Sequence, residues 1–179
     1  MLASGSLKIY TLLADGRRQV TGFMFPGDFL GISIDDEYAF TAEALVSSEL
    51  WWFTRDAFDR FVEEHPKVER ELYRLAAHEL AAAQSQMVLL GRKTAAERLA
   101  SFFLLLVERQ ELVVGEKQAE FDLPMSRLDI ADYLGLTKET VSRMLAHLRN
   151  RKLIRLMSQD RVEILDRAGL REMAEGFGE

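Results

Sequence analysis

The chain has 179 residues, of which 48% are apolar and 29% charged, with a net charge of −6 and no cysteine. This composition predicts a globular protein with a buried core and excludes disulfides, thiolate zinc fingers, iron–sulfur clusters held by these residues and a cysteine nucleophile. The longest apolar stretch, Leu99 to Val107, is far shorter than the about 20 residues of a membrane span, and no basic leader is present, so we expect a cytoplasmic protein.

Residues 1–56 predict a small β domain. Two strand-like runs, Leu7 to Leu13 and Gln19 to Phe25, flank Asp15-Gly16, which is a strong signal for a β-hairpin. Pro26-Gly27-Asp28 predicts a second turn, and Thr41 to Phe53 predicts further strand. Since no partner strands precede the first run, we expect the sheet to be incomplete.

Residues 57–91 predict a dimerisation region built on one long helix. Lys67 to Leu90 contains no Gly or Pro, and Gly91 is expected to end the helix as a hinge. Two adjacent apolar stripes follow it, so one could pack on the β domain and the other on a second copy of the helix. The alternative is a single broad face packed on its own chain. We assign the dimer interface to the first stripe, which consists of Val68, Leu72, Leu75, Glu79, Ala82, Gln86 and Leu89. The second stripe consists of Ala76, Leu80, Ala83, Met87 and Leu90.

A further helix and a connector open the last region, residues 92–179. Thr94 and Glu97 form the sequence of a capping box, which predicts a helix through about Glu108. Its apolar residues, among them Leu99 and Phe102, are spaced as in a core helix. The segment from Arg109 to Asp122 is polar and predicts a connector with a strand at its end.

The strongest motif is a pair of short helices. Ser126 and Asp129 form a second capping-box sequence, opening a helix that runs through Leu134 and is ended by Gly135. Thr137 then caps a helix that extends to about Asn150. A small residue, a turn glycine and five apolar residues have the spacing of a helix-turn-helix rather than of an ordinary helical hairpin. These are Ala131, Gly135, Ile130, Leu134, Leu136, Val141 and Met144.

The second of these helices carries the candidate base-reading residues. Lys138, Glu139, Ser142 and Arg143 share one face, opposite the apolar residues. Arginine can donate two hydrogen bonds to guanine, glutamate can accept one from cytosine, and serine can do either. The alternative is that Glu139 and Arg143 form only a helix salt bridge, since an acid four residues before a base stabilises a helix.

A hairpin completes a winged helix-turn-helix. The runs from Leu153 to Met157 and from Arg161 to Leu165 alternate as strands around a Ser158-Gln-Asp160 turn. The basic residues beside it, Arg151, Lys152, Arg155 and Arg161, are expected near phosphates. Between Lys138 and Arg161, seven basic and two acidic residues give a local charge of +5, although the second half of the chain is neutral and the first half carries the whole net charge. Such a basic island favours a nucleic-acid contact over a merely solvated face.

Four segments together resemble the CRP/FNR superfamily of bacterial transcription regulators, and within it the FNR/FixK/FnrN branch. They are the runs from Pro26 to Gly31, Leu90 to Ser101, Phe121 to Arg127 and Ala131 to Arg143. The resemblance covers essentially the whole chain. It implies an α+β fold with a partial, cyclic-nucleotide-binding-like β-roll over residues 1–56, a dimerisation helix over 57–91 and a winged helix-turn-helix over 92–179.

The resemblance also implies a function. The chain is expected to be an activator that binds double-stranded DNA as a homodimer, at a palindrome of the type TTGAT-N4-ATCAA, and that contacts RNA polymerase. Glu139, Ser142 and Arg143 match the base-reading motif of the FNR branch, whereas Lys138 is basic as in the CRP branch. Phosphate contacts are expected at Ser126, Arg127, Thr137, Thr140, Arg149, Arg155 and Arg161.

The chain departs from the family at its sensory positions, so we expect no cofactor. Nucleotide-binding members carry Gly-Glu and Arg-Ser pairs, but here Ile32 follows Gly31, and Tyr38 and Ala39 stand where Arg and Ser belong. The cluster cysteines of oxygen-sensing members are absent, and Trp51 falls at or next to the internal one. A FixK-like regulator controlled by its amount fits these departures best.

Two other functions stay open, and an enzyme is not expected. One alternative is a haem-based nitric oxide or redox sensor of the same superfamily, in which a His or Met ligates iron; the other is a dimerisation module that binds protein rather than DNA. His78-Glu79 lacks the second His of a zinc-protease motif, and Gly91 to Thr94 lacks the upstream glycine of a phosphate-binding loop.

Overall fold

A computed structural model describes residues 1–31, 38–115 and 119–177. Its elements follow the predicted order of a β unit, a helical region and a mixed carboxyl-terminal unit. The strands are β1 (Leu2–Ser4), β2 (Leu7–Leu12), β3 (Arg18–Met24), β4 (Thr41–Ala44), β5 (Glu49–Leu50), β6 (Glu120–Asp122), β7 (Ile154–Leu156) and β8 (Arg161–Ile164). The helices are α1 (Arg55–Glu64), α2 (Pro66–Arg92), α3 (Ala95–Val114), α4 (Arg127–Leu134), α5 (Lys138–Asn150) and α6 (Arg167–Ala174).

The amino-terminal hairpin is confirmed, but the strand predicted over 41–53 is interrupted. Antiparallel β2 and β3 pair around the Asp15-Gly16 turn, and β4 pairs with the other side of β2. The chain then leaves this sheet, and β5 pairs instead with β1, a strand that the sequence did not predict. Ser48 stabilises the crossing, because its Oγ accepts from the Ser6 amide at 3.2 Å while its hydroxyl donates to the carbonyl of Val46 at 2.8 Å. Gly5 is required beside it, since a Cβ there would collide with the Ser48 hydroxyl.

The long helix α2 extends further than predicted at its carboxyl end. Pro66 stands at its first turn, where a proline is tolerated, and separates it from α1. The prediction that Gly91 ends the helix is wrong, because α2 continues through Gly91 and Arg92. A glycine inside a helix costs only about 1 kcal/mol, and here the amide of Lys93 still donates to the carbonyl of Leu89.

The helix α3 is also longer than predicted. Its Thr94–Glu97 capping box is present, but the helix runs to Val114 rather than to about Glu108. The polar residues read as a connector belong to this helix and have partners elsewhere in the chain: Arg109 pairs with Asp28 in the turn after β3, and Glu111 pairs with Arg167 of α6. The strand predicted at the end of the connector is confirmed as β6.

The carboxyl-terminal unit is a winged helix-turn-helix packed around α3. Helices α4 and α5 lie against α3, and β6, β8 and β7 form an antiparallel sheet in that order. Helix α6, which the sequence did not predict, packs along α3 from the other end of the chain. The core includes Leu99, Phe103, Ile130 and Leu148, all fully buried. The fold is therefore the α+β arrangement expected from the sequence.

The amino-terminal sheet packs directly on this unit. Val20 of β3 belongs to the same buried cluster as the residues of α3 and α4. Phe23, also on β3, packs on Phe102 and Tyr133, with ring centroids 5.7 and 5.2 Å away. Over the described ranges, no helix is long and apolar enough to cross a membrane.

Candidate nucleic-acid interface

The corner between α4 and α5 has the local structure that the spacing predicted. Gly135 adopts a left-handed conformation with φ of 62°, which a residue with a side chain rarely adopts. A Cβ at this position would lie 3.3 Å from Leu90 Cδ2 and 3.5 Å from Arg98 Nη1. Val141, Leu145 and six other positions of α4 and α5 are buried beneath the corner. The two helices are thus held at a fixed angle.

The candidate base-reading residues form an open face on α5. Lys138, Glu139, Ser142 and Arg143 are all exposed, while the opposite side of the helix is buried. The Ser142 hydroxyl donates to the carbonyl of Lys138 at 3.0 Å, which orients it along the helix. Within the part of the chain described, no ion pair joins Glu139 and Arg143, so both heads extend into solvent.

The amino-terminal ends of α4 and α5 carry four of the expected phosphate contacts. Ser126 Oγ donates to Asp129 Oδ2 at 2.6 Å and accepts from the Asp129 amide, so a full capping box is formed. Arg127 lies beside it, and burial lowers the pKa of its guanidinium. Its Nη1 atom is buried without a hydrogen-bond partner in the described structure. Thr137 and Thr140 share a hydroxyl contact of 3.0 Å at the start of α5.

The wing arginines have carboxylate partners on their own sheet. Arg155 pairs with Glu163 at 2.8 Å, and Arg161 pairs with Glu120 at 2.9 Å. Both arginine side chains remain more than half exposed, so they can exchange these partners for phosphate. Arg149, at the end of α5, is also exposed.

Arg98 fixes the helix-turn-helix to the end of α2, a role that sequence reasoning missed. Its guanidinium donates to the carbonyls of Leu90, Lys93 and Leu134, each at 2.9 Å. These carbonyls belong to the end of α2, the entrance of α3 and the end of α4. One side chain therefore joins three elements at the point where the sequence predicted a hinge.

A second missed feature is a cluster of charges between the amino-terminal sheet and α4. Lys8 Nζ lies 2.9 Å from Asp129 Oδ1 and 2.9 Å from Glu43 Oε1. Arg18 donates to Asp129 Oδ1 at 3.0 Å and to Asp132 Oδ2 at 2.9 Å. No local pattern signals the pairs with Asp129 and Asp132, since their partners are separated by 111 to 121 positions.

The two apolar stripes of α2 differ in exposure. The first stripe is half-buried within its own chain at both ends, and Gln86 there donates to the carbonyl of Tyr133. Glu79 and Ala82, at its centre, are exposed. The second stripe contains Leu80 and Met87, exposed by 62% and 71%, and α2 has no buried residue. Helix α2 is thus left with an open apolar surface.

The described residues near the expected nucleotide site do not fit a cyclic phosphate. Tyr38 is exposed and packs on Phe40, and the carbonyl of Ala39 accepts from Thr11 Oγ1. Neither residue offers the positive charge that a phosphate requires. The prediction on Ile32 lies outside the described residues. Among the residues that are described, no group of three or more His, Cys, Asp and Glu could hold a metal ion.

Comparison with known families gives two matches that together span both ends of the chain. Residues 97–173 match the family described as "Crp-like helix-turn-helix domain". Residues 1–65 match the family described as "Cyclic nucleotide-binding domain". The first match includes α4, α5 and the wing, and the second includes the amino-terminal sheet and α1.

Similar full-length proteins and a solved structure agree with these matches. The chain is 42% identical to the nitrogen fixation regulation protein FixK of Bradyrhizobium diazoefficiens, over 95% of this chain and 71% of that protein. It is 42% identical to the transcriptional activatory protein AadR of Rhodopseudomonas palustris, over 92% of this chain and 68% of that protein. The structure of FixK2 from Bradyrhizobium japonicum superimposes with a TM-score of 0.89 at 35% identity, covering 97% of this chain and 85% of that one.

Proposed function

The chain belongs to the CRP/FNR family of transcription regulators, and we propose that it is an activator that binds a TTGAT-N4-ATCAA-type palindrome as a homodimer. Its relatives are transcription regulators, not enzymes. The observation that carries the proposal is the open face of α5, on which Glu139, Ser142 and Arg143 are exposed above a buried helix-turn-helix core. Such a face matches the base edges of a major groove.

The division of roles follows from position. Residues on the α5 face read base edges and therefore set sequence preference. The caps at Ser126 and Thr137, with Arg127, Arg149 and the wing arginines, contact phosphates and therefore set affinity for any sequence. Lys138 lies beside Glu139 at the start of α5 and adds positive charge to the reading face.

The exposed second stripe of α2, which Tyr73 extends towards the start of the helix, supports the homodimer. Tyr73, Leu80 and Met87 are exposed by 77%, 62% and 71% and follow one another at intervals of seven residues, the repeat of a coiled-coil seam. The small residues Ala76 and Ala83 lie between them and permit close approach. Since α2 is about 40 Å long, we propose that a second copy covers this stripe, with the first stripe flanking it.

The proposed function includes no cofactor and a cytoplasmic location, with RNA polymerase as the partner in activation. The residues at 38 and 39 and the lack of cysteine support the absence of a cyclic nucleotide and of an iron–sulfur cluster. A visible absorption spectrum of the protein, purified together with any cofactor that it binds in the cell, tests the haem alternative. A Soret band would contradict our proposal.

A binding experiment tests the function as a whole. Fluorescence anisotropy at fixed salt compares a duplex containing TTGAT-N4-ATCAA with one in which both half-sites are scrambled. We expect at least a thousandfold preference, within the range of specific regulators. Equal affinity for the two duplexes would contradict sequence-specific binding, and no binding to either would favour the protein-binding alternative.

A further inference from the structure

Two basic residues of the amino-terminal sheet form ion pairs with the first helix of the helix-turn-helix. Lys8 on β2 and Arg18 on β3 both donate to Oδ1 of Asp129, at 2.9 and 3.0 Å. Arg18 also donates to Oδ2 of Asp132, and the carbonyl of Asp132 accepts from the side chain of Gln19 at 2.6 Å. We call Lys8, Arg18, Asp129 and Asp132 the sheet–helix cluster. It joins two units that match separate families.

Burial makes the cluster a specific contact. Lys8 and Asp129 are 5% and 4% exposed, so neither charge has much water around it. A buried charge is strongly destabilising when its partner is removed. Burial by itself lowers the pKa of Lys8, but the hydrogen bonds from its ammonium to Asp129 and Glu43 raise it above its ordinary value. Both groups are therefore charged at neutral pH, and each requires the other in place.

The Asp129 carboxylate connects this contact to the proposed DNA surface. While Oδ1 accepts hydrogen bonds from Lys8 and Arg18, Oδ2 accepts hydrogen bonds from the amide and the hydroxyl of Ser126, at 3.1 and 2.6 Å. One carboxylate thus fixes the start of α4, where Ser126 and Arg127 lie, to the sheet. A movement of the sheet away from α4 would separate Asp129 from both of its cations.

We propose that Lys8 and Arg18 are positioning residues for DNA binding, which hold the helix-turn-helix in its DNA-competent orientation through Asp129 and Asp132. The proposal rests on the function proposed above. We call the arrangement in which the amino-terminal sheet packs on α4 the docked arrangement. It is the one able to bind DNA, because it leaves Lys138, Glu139, Ser142 and Arg143 exposed. In the described part of the chain, no hydrogen bond or ion pair joins the sheet to these four side chains.

This role predicts a particular pattern of affinity. If a fraction of the molecules is docked, the apparent dissociation constant is the intrinsic one divided by that fraction. Loss of the cluster therefore weakens every DNA sequence by the same factor. Because Lys8 and Arg18 do not touch phosphate, the number of counterions released stays the same, and the dependence of affinity on salt is unchanged.

The test compares Arg18→Gln with Arg17→Gln in the full-length chain. The two changes remove the same charge from adjacent residues, but Arg17 is exposed and pairs with Asp15 in the turn. Anisotropy measurements use the TTGAT-N4-ATCAA duplex and its scrambled form at several salt concentrations. We expect Arg18→Gln to weaken both duplexes roughly tenfold, as for typical couplings between sites, with an unchanged salt slope. Arg17→Gln should stay within about twofold of the wild type, and Arg18→Lys should recover part of the loss.

Three results would overturn the proposal. Unchanged affinity of Arg18→Gln would mean that the cluster does not position the helix-turn-helix. Tighter binding would mean that the docked orientation is inhibitory. A reduced salt slope would mean that Arg18 itself contacts phosphate. Arg18 is better suited than Lys8 to this test, because its side chain is partly exposed and its loss leaves the buried Asp129 still paired with Lys8.

A second measurement works without DNA and separates this proposal from the proposed function. Amide hydrogen exchange across α4 reports whether the helix stays docked. We expect faster exchange in Arg18→Gln and in Asp132→Asn, and little further increase in the double variant, since Arg18→Gln already removes the pair that Asp132→Asn breaks. Additive effects would contradict the pairing. If the wild type binds neither duplex, the DNA-binding function fails while the exchange data still establish or refute the docking.

Discussion

Lys8 Nζ lies 2.9 Å from Asp129 Oδ1, so a strand of the amino-terminal sheet is ion-paired to the first helix of the helix-turn-helix. The two residues are 121 positions apart and both are buried. The sheet that matches the cyclic nucleotide-binding domain family is therefore bonded directly to the unit that we propose reads DNA. The long helix is not the only connection between them.

The first prediction concerns stability at low pH. Burial by itself raises the pKa of Asp129, but the hydrogen bonds from Lys8 and Ser126 and the charge of Lys8 lower it below its ordinary value. A carboxyl with a lowered pKa stabilises the fold above its unfolded pKa, about 3.9, and this contribution is lost as the pH falls through the folded pKa. We expect the difference in unfolding free energy between wild type and Asp129→Asn to be constant from pH 5 to 7 and to shrink below about pH 4. Urea unfolding at each pH measures it. A difference that persists to pH 2 would contradict the ion pair.

The second prediction separates base reading from phosphate contact. Arg143→Ala should lose about 1–3 kcal/mol of discrimination at its guanine, because its guanidinium stands free on the α5 face. Arg149→Ala removes the same side chain from the end of α5 and should weaken specific and scrambled duplexes alike, lowering the salt slope by about one. Titrations over a range of salt measure both quantities. An equal loss on the two duplexes for both variants would refute this assignment.

The wing offers a comparison with Arg149. Arg155 pairs with Glu163, so binding to phosphate must first break this pair. Arg155→Ala is expected to weaken all sequences alike, but by less than Arg149→Ala. Glu163→Gln should tighten binding slightly, because it frees Arg155. Weaker binding by Glu163→Gln would show that the acid orients the arginine instead of competing for it.

The third prediction concerns the dimer. Leu80 is exposed in the single chain, and burying it against a second copy contributes about 1.5–3 kcal/mol for each chain. Leu80→Glu should therefore give monomers in sedimentation, with weak binding to the palindrome. Leu12→Glu is a matched control, because Leu12 is also 62% exposed but lies at the hairpin. Leu75→Glu examines the first stripe: dissociation by Leu75→Glu but not by Leu80→Glu would place the interface there.

The fourth prediction compares two glycines. Gly135→Ala forces an L side chain into a left-handed conformation, which costs about 1–2 kcal/mol, and its Cβ meets Leu90 and Arg98. Gly91→Ala, within α2 and with open space around it, should stabilise the chain by about 0.5–1 kcal/mol. The same chemical change thus has opposite signs at the two positions. Urea unfolding of both variants measures them, and destabilisation by Gly91→Ala would contradict the helical continuation of α2.

Features determined by neighbouring residues could be predicted from the sequence. The Ser126–Asp129 box, the turn at Gly135 and the cap at Thr137 are all present as predicted, because capping and turn geometry depend on residues three or four positions apart. The hairpin around Asp15-Gly16 is present for the same reason. The face of α5 follows from the 3.6-residue period, so the candidate base-reading residues could be chosen before the fold was known.

The positions at which helices and strands end, and the distant residues that they contact, were less predictable from the sequence. Helix α3 continues past Glu108, where Arg109 and Glu111 have ion-pair partners elsewhere in the chain, and polar residues of this kind read as a connector in sequence. The strand over 41–53 divides because Ser48 bonds to Ser6, across 42 positions. Such contacts depend on chain paths that no local pattern encodes.

The sequence by itself determined which residues form the helix-turn-helix and which face of α5 is free, since both depend on spacing within about 25 residues. Only the tertiary structure decided that Lys8 and Arg18 hold that unit, that Arg98 bonds three elements at once, and that the second stripe of α2 is the more exposed. A buried charge is stable only beside its partner, and the partner of Lys8 is brought to it by the packing of the whole chain.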